Sequence, residues 1–80
     1  MVFVYVIKSE KSARLYVGIS KNLEVRLSQH NAGKSKFTKG HMPWTLLYSE
    51  KLSDYGSARQ REKYLKSAAG KRWLRNKLGI

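Results

Sequence analysis

Two tyrosines, Tyr5 and Tyr16, each lie inside a short apolar run, and the second is followed at once by Val17 and Gly18. Eight residues past that glycine comes Arg26, then His30 one helical turn later, and much further on Glu62 among lysines and arginines. Folding alone does not call for a phenol, a guanidinium, an imidazole and a carboxylate at such positions. Cleavage of a phosphodiester does, because it needs a polarised water, a positive clamp on the phosphate and an anionic ligand for a metal ion.

The elements that must carry these groups can be read from patterning. Val2 to Ile7 is continuously apolar and β-branched or aromatic, which predicts a strand covered on both faces, hence a central one. Lys8 to Ser12 is polar and makes a turn. In Leu15 to Ser20, Leu15, Val17 and Ile19 alternate with Tyr16, Gly18 and Ser20, so one face is aliphatic and the other bears a phenol beside a glycine. The short connection makes the two strands an antiparallel hairpin. Asn22, or Ser20 before it, can cap a helix to about Ala32, with Gly33 as its stop. Lys34 to Pro43 is a basic loop with one aromatic, Phe37. Trp44 to Leu52 reads as a third strand, and Ser53 or Asp54 caps a helix from about Tyr55 to Ala69. Gly70 is expected to break that helix, leaving KRWLRNKL as a last short one. The order β-β-α-β-α-α predicts an α+β domain: a three-stranded antiparallel sheet flanked by about three helices.

Each candidate has a plain alternative. Leu23, Arg26, Leu27 and His30 fall within one arc of about 100° on their helix, with Arg26 and His30 neighbours at i, i+4. They can line a cleft; equally, Arg26 can lay its stem on the core and His30 can serve as a helix C-terminal cation. Ala58, Glu62, Leu65 and Ala69 form a stripe that points the Glu62 carboxylate toward the sheet. An ion pair with Lys66 would account for it, but needs no inward position. An inward carboxylate must be paired or must ligate a cation, and a single carboxylate suits Mg²⁺, which keeps several of its waters. Tyr16 can be a half-exposed strand aromatic and Tyr5 a core residue. Gly18, in an otherwise aliphatic strand, suggests a bulge or the close approach of another backbone.

Global composition narrows the classes. Eighty residues leave room for one domain, spanning residues 1–80. Such a chain buries about 60–65% of its unfolded surface, so its core is small. With no cysteine there is no disulfide and no thiolate zinc site, which suits a cytoplasmic protein. The N-terminal apolar run is too short for a signal sequence or a bilayer span. Seventeen Lys and Arg against five Asp and Glu give a formal net charge of +12. That excess is best tolerated beside a polyanion, nucleic acid before an anionic membrane.

With these residues in view, the chain resembles a known family. Phe3-Val4-Tyr5 and Tyr16-Val17-Gly18, with ten residues between them, resemble the two halves of the GIY-YIG nuclease signature. Arg26 within NLEVRLSQHN and Glu62 within SARQREKYLK stand where that superfamily carries its arginine and its metal-binding glutamate. The YVI start, the AGKSKFTKG loop and the EKYLK helix are most similar to the small UPF0213 group. Phe3-Val4 replaces the usual Gly-Ile, and Asn76 lies near the place of a late family asparagine.

The resemblance implies a metal-dependent endonuclease with one Mg²⁺ or Mn²⁺ ion. In it Tyr16, with Tyr5 close by, positions or deprotonates the attacking water. Arg26 steadies the phosphate, His30 is a candidate for proton transfer, and Glu62 holds the metal. Gly18, Lys34, Lys36, Lys39, Lys71, Arg72, Arg75 and Lys77 are the expected nucleic-acid contacts. Such contacts grip the backbone without reading bases, so the expected substrate is branched, nicked or single-stranded DNA. Superfamily nucleases usually have a second domain for targeting, and a partner protein is expected to supply it here. A non-catalytic nucleic-acid-binding module is the alternative, and a subunit docking an acidic protein is a third reading.

Overall fold

The computed structural model describes all 80 residues. Strand β1 (Val2–Ser9) pairs antiparallel on one side with β2 (Leu15–Ser20) and on the other with β3 (Trp44–Leu52), giving the order β2-β1-β3. Three helices, α1 (Leu23–Asn31), α2 (Tyr55–Lys66) and α3 (Ala68–Leu78), complete the predicted β-β-α-β-α-α order. None is long and apolar enough to cross a membrane.

The apolar run of β1 is explained by its central place: its two faces close two different cores. Val2, Val4 and Val6 meet Val17 of β2 and pack with Ala58, Leu65 and Leu74 from α2 and α3. Tyr5 and Ile7 point the other way and pack with Trp44, Tyr16, Met42 and the α1 residues Leu23 and Leu27. The period of two in β1 therefore separates a core whose buried residues are all aliphatic from one that buries the Tyr5 phenol.

Helix starts follow local capping. The side chains of Asn22 and Asp54 accept from the N–H groups of Val25 and Ser57 at 3.1 and 2.7 Å, fixing the entries of α1 and α2. The expected stop at Gly70 is corrected. The chain breaks at Ser67, which ends α2 and caps α3 by accepting from the Gly70 N–H at 3.1 Å. Gly70 lies inside α3 and is buried; a Cβ there would overlap the Tyr64 carbonyl oxygen and sit 2.7 Å from Leu65 Cα. It is a glycine of close helix approach. The stripe on α2 accordingly ends at Leu65, and Ala69 is an exposed residue of α3.

One polar cluster ties β3 to the helices. Arg61 donates through Nε to both Glu50 oxygens at 3.0 and 2.9 Å, Tyr48 donates to Glu50 at 2.6 Å, and the guanidinium lies 4.5 Å from the Trp73 ring. Burial alone would raise the Glu50 pKa, but the hydrogen bonds from Arg61 and Tyr48 hold it below the usual carboxylate range.

Candidate active site

On the α1 face of the sheet, the register sets Tyr5 opposite Gly18 and Ile7 opposite Tyr16, so both phenols share one side. Gly18 is explained by that pairing. A Cβ built on it would lie 2.5 Å from the Tyr5 hydroxyl oxygen and 2.6 Å from Cζ. The expectation of a bulge or an approaching backbone is corrected: a tyrosine ring fills the space, and the β1–β2 register is unbroken.

His30 is fully buried, contrary to the helix C-terminal cation considered from sequence. Its Nε2 lies 2.9 Å from the Tyr5 hydroxyl and its Nδ1 2.7 Å from the Thr38 hydroxyl. A neutral imidazole offers one donor and one acceptor, so the Tyr5–His30–Thr38 chain is satisfied with its protons running either way. Burial, and then the nearby Arg26 charge, lower the His30 pKa to about 4, so the ring is neutral at pH 7. Tyr5 responds oppositely. Burial raises its pKa, Arg26 opposes that rise, and the Tyr16 phenol and the Glu62 carboxylate add to it. Tyr16 is half-buried, with its ring centroid 5.1 Å from that of His30 and 6.5 Å from that of Tyr5.

Arg26 is half-buried and donates to the Gln29 side chain at 3.0 Å. Glu62 arrives from the other layer. Ala58 and Leu65 on its helix pack against the aliphatic face of the sheet, yet one turn on from Glu62 the side chain of Lys66 lines a depression shared with Tyr16. Helix α2 packs against β1 and edge strand β2, and the Glu62 charge adds to the rise in the Tyr5 pKa. The Glu62 side chain is 10% exposed, and its oxygens lie 3.1 Å from Lys66 Nζ and 3.4 Å from Arg59 Nη1. The Lys66 pair weighed from sequence is therefore present. Both cationic partners are more than half exposed and can swing into solvent.

No cluster of three or more His, Cys, Asp or Glu side chains surrounds this point. What the site offers a divalent cation is one sheltered carboxylate with two movable counter-ions. That donor set fits Mg²⁺ or Mn²⁺ only when waters and substrate phosphate oxygens complete the shell.

Thr38 and Trp44 were not picked out from sequence as site residues. Trp44 is buried, donates its indole N–H to the Thr38 carbonyl at 2.8 Å, and has its backbone held on both sides by the Asn31 amide. These bonds fold the basic loop back over the end of α1 and present Thr38 to His30. The only sequence signal was a threonine in the AGKSKFTKG loop. The expected backbone-contact residues Lys34, Lys36, Lys39, Lys71, Arg72, Arg75 and Lys77 are all exposed.

The model of the GIY-YIG catalytic domain matches residues 1–77. The chain belongs to the GIY-YIG family. Within it, a UPF0213 protein of Staphylococcus haemolyticus is 39% identical over 66 residues, covering 81% of this chain and 79% of the relative. One from Clostridium perfringens is 40% identical over 67 residues, covering 82% and 71%. The solution NMR structure of a UPF0213 protein from Bacillus halodurans superimposes with a TM-score of 0.56 at 26% identity, covering 92% of this chain and 82% of that one. This GIY-YIG chain therefore carries a nuclease-type fold of the UPF0213 kind.

Proposed function

We propose that residues 1–80 act as a single divalent-metal-dependent endonuclease domain that hydrolyses phosphodiester bonds in DNA. The observation that carries this reading is the buried Tyr5–His30–Thr38 chain, flanked by Tyr16 and lying within the electrostatic reach of Arg26 and Glu62. Burial holds the His30 imidazole neutral, so it serves the site as a fixed hydrogen-bonding group. With Nδ1 held by Thr38 and Nε2 by Tyr5, the chain keeps the Tyr5 phenol protonated and fixed in orientation beside Tyr16. Tyr16, half-exposed at the mouth, orients the attacking water. Arg26 clamps non-bridging phosphate oxygens and offsets the charge that builds on them.

Glu62 is the residue that would hold a cation, Mg²⁺ or Mn²⁺, after Lys66 and Arg59 release it. When bound, that ion would lower the pKa of a bound water and neutralise phosphate charge. With backbone-gripping lysines and no base-reading helix in view, structure- or damage-directed cleavage is favoured, with a partner protein supplying targeting.

The Glu62 ion pairs favour a second reading, a non-catalytic DNA-binding module in which the acid only ties down α2. The two are separated by cleavage assays with Mg²⁺ or Mn²⁺ on a panel of duplex, nicked and branched DNAs. On the nuclease reading, Tyr16→Phe, Arg26→Ala and Glu62→Gln each lose cleavage while retaining binding. Glu62→Gln should cost less than about 1 kcal/mol of stability, because the pairs it breaks have exposed partners. A panel left uncut by the unaltered protein, with binding indifferent to metal, would leave the binding module as the better description.

A further inference from the structure

The hydrolytic chemistry leaves one surface feature unused. Phe37 is 80% exposed and stands in the basic loop between Lys36 and Lys39. A lone exposed aromatic is ordinary, but this one walls a depression of about 410 Å³ whose other sides include Tyr16, Trp44, His41, Arg14 and Lys66. That volume is within the range of about 300–1,000 Å³ typical of small-ligand sites. The Tyr16 and Trp44 rings meet edge to face at 6.4 Å and those of His41 and Trp44 at 6.3 Å, so the depression borders Tyr16 of the candidate active site. Two further depressions, of about 300 and 370 Å³, continue along β2; Lys66 and Lys71 line the first, and Arg14, Lys71 and Arg75 the second.

We propose that the Phe37 depression is a stacking subsite for an unpaired nucleotide next to the bond to be cut, with Arg14 and Lys66 holding its phosphates. The inference rests on the nuclease reading and narrows its substrate to a strand with unpaired bases. Every nucleobase has a flat π-face that an exposed phenyl ring accepts, and cations along the same groove track the backbone. A base stacked within a duplex cannot present that face to Phe37. The charge matches as well: Lys66 is held by Glu62 in the free protein, and a phosphate arriving in the depression offers it a second partner. Stacking of this kind is indifferent to sequence and to the sugar, so DNA and RNA strands share the chemistry.

The test is binding in the presence of a chelator, which separates it from cleavage. The probes are a single-stranded oligodeoxynucleotide carrying one 2-aminopurine, its duplex, and the oligoribonucleotide of the same sequence. Phe37→Ala should weaken single-strand binding roughly 5- to 100-fold and change duplex binding by less than about twofold, where phosphate contacts dominate. Phe37→Tyr should bind like the unaltered protein and Phe37→Leu like the alanine variant. The 2-aminopurine emission should be quenched by the protein and not by Phe37→Ala. Phe37→Ala should cost the deoxy and ribo strands alike, and whichever strand the unaltered protein binds more tightly identifies the natural ligand. Losses equal on single strand and duplex, or absent from both, would overturn the subsite. If single-strand affinity survives Phe37→Ala while Arg26→Ala abolishes cleavage, the subsite falls and the nuclease reading stands. If neither strand binds and none is cut, both fall together.

Discussion

His30 is held by two hydrogen bonds in a fully buried position, and those constraints make its charge costly. In the unfolded chain its pKa has the ordinary value of 6.5; folding lowers it to about 4, first through burial and then through Arg26. Between those values the unfolded chain binds more protons, so stability rises with pH there. The contribution is fully present above pH 6.5 and is lost as pH falls through about 4. That difference in pKa corresponds to about 3 kcal/mol. Glu50, whose pKa is also lowered on folding, loses stability on acidification as well, so the control is a variant. Urea melts at several pH values should show a shallower acid loss in His30→Gln than in the parent; parallel curves would mean that His30 is protonated in the fold. The pairing of Arg26 with His30 was legible from the i, i+4 spacing. The burial of His30 was not, because its partners come from another strand and from a loop of irregular backbone.

At the scale of elements, the junction of α2 and α3 shows where local signals mislead. A glycine after a helical pattern normally reads as a stop, and Gly70 followed such a pattern. The break instead belongs to Ser67, whose side chain both accepts from the Gly70 N–H and donates to the Tyr64 carbonyl at 2.5 Å. What requires glycine at 70 is the neighbouring helix backbone, a tertiary contact that no local pattern records. Gly70→Ala would gain about 1 kcal/mol of helix propensity, but its methyl would collide with backbone atoms of Tyr64 and Leu65 that cannot move independently. Overpacking of this kind typically costs about 1–3 kcal/mol, occasionally more. The expected net effect is a loss of stability, measured by denaturant midpoint; a variant as stable as the parent would mean that the helices part easily. The strands were more legible. The alternation in β2 put Tyr16 and Gly18 on one face because sheet periodicity is fixed by geometry, whereas Tyr5 joins that face through a register that patterning left open. Glu62 was legible only as inward-pointing, since where α2 seats on the sheet depends on how two layers stack.

For the whole molecule, the net charge of +12 was the plainest sequence signal, but sequence could not say how it is arranged. Folding brings Arg14 from the hairpin, Lys66 from α2 and Lys71 and Arg75 from α3 to one side of β2, while Glu50 and Glu62 are engaged by Arg61, Arg59 and Lys66. Arg14, Lys71 and Arg75 thus leave free positive charge beside the strand path proposed above. If six phosphates are neutralised, duplex affinity should fall roughly a thousandfold between about 50 and 200 mM salt, since each contact adds about 0.9 to the logarithmic slope. Lys71→Ala and Arg75→Ala should each weaken binding and lower that slope by about 1. Lys51, exposed on β3 away from this track, supplies the control: Lys51→Ala should leave the slope unchanged. A slope near zero in the parent protein would remove nucleic acid as the partner and favour docking to an acidic protein. Equal slope changes in all three variants would mean that the charge acts as a diffuse cloud, and the placement of the strand along β2 would have to be abandoned.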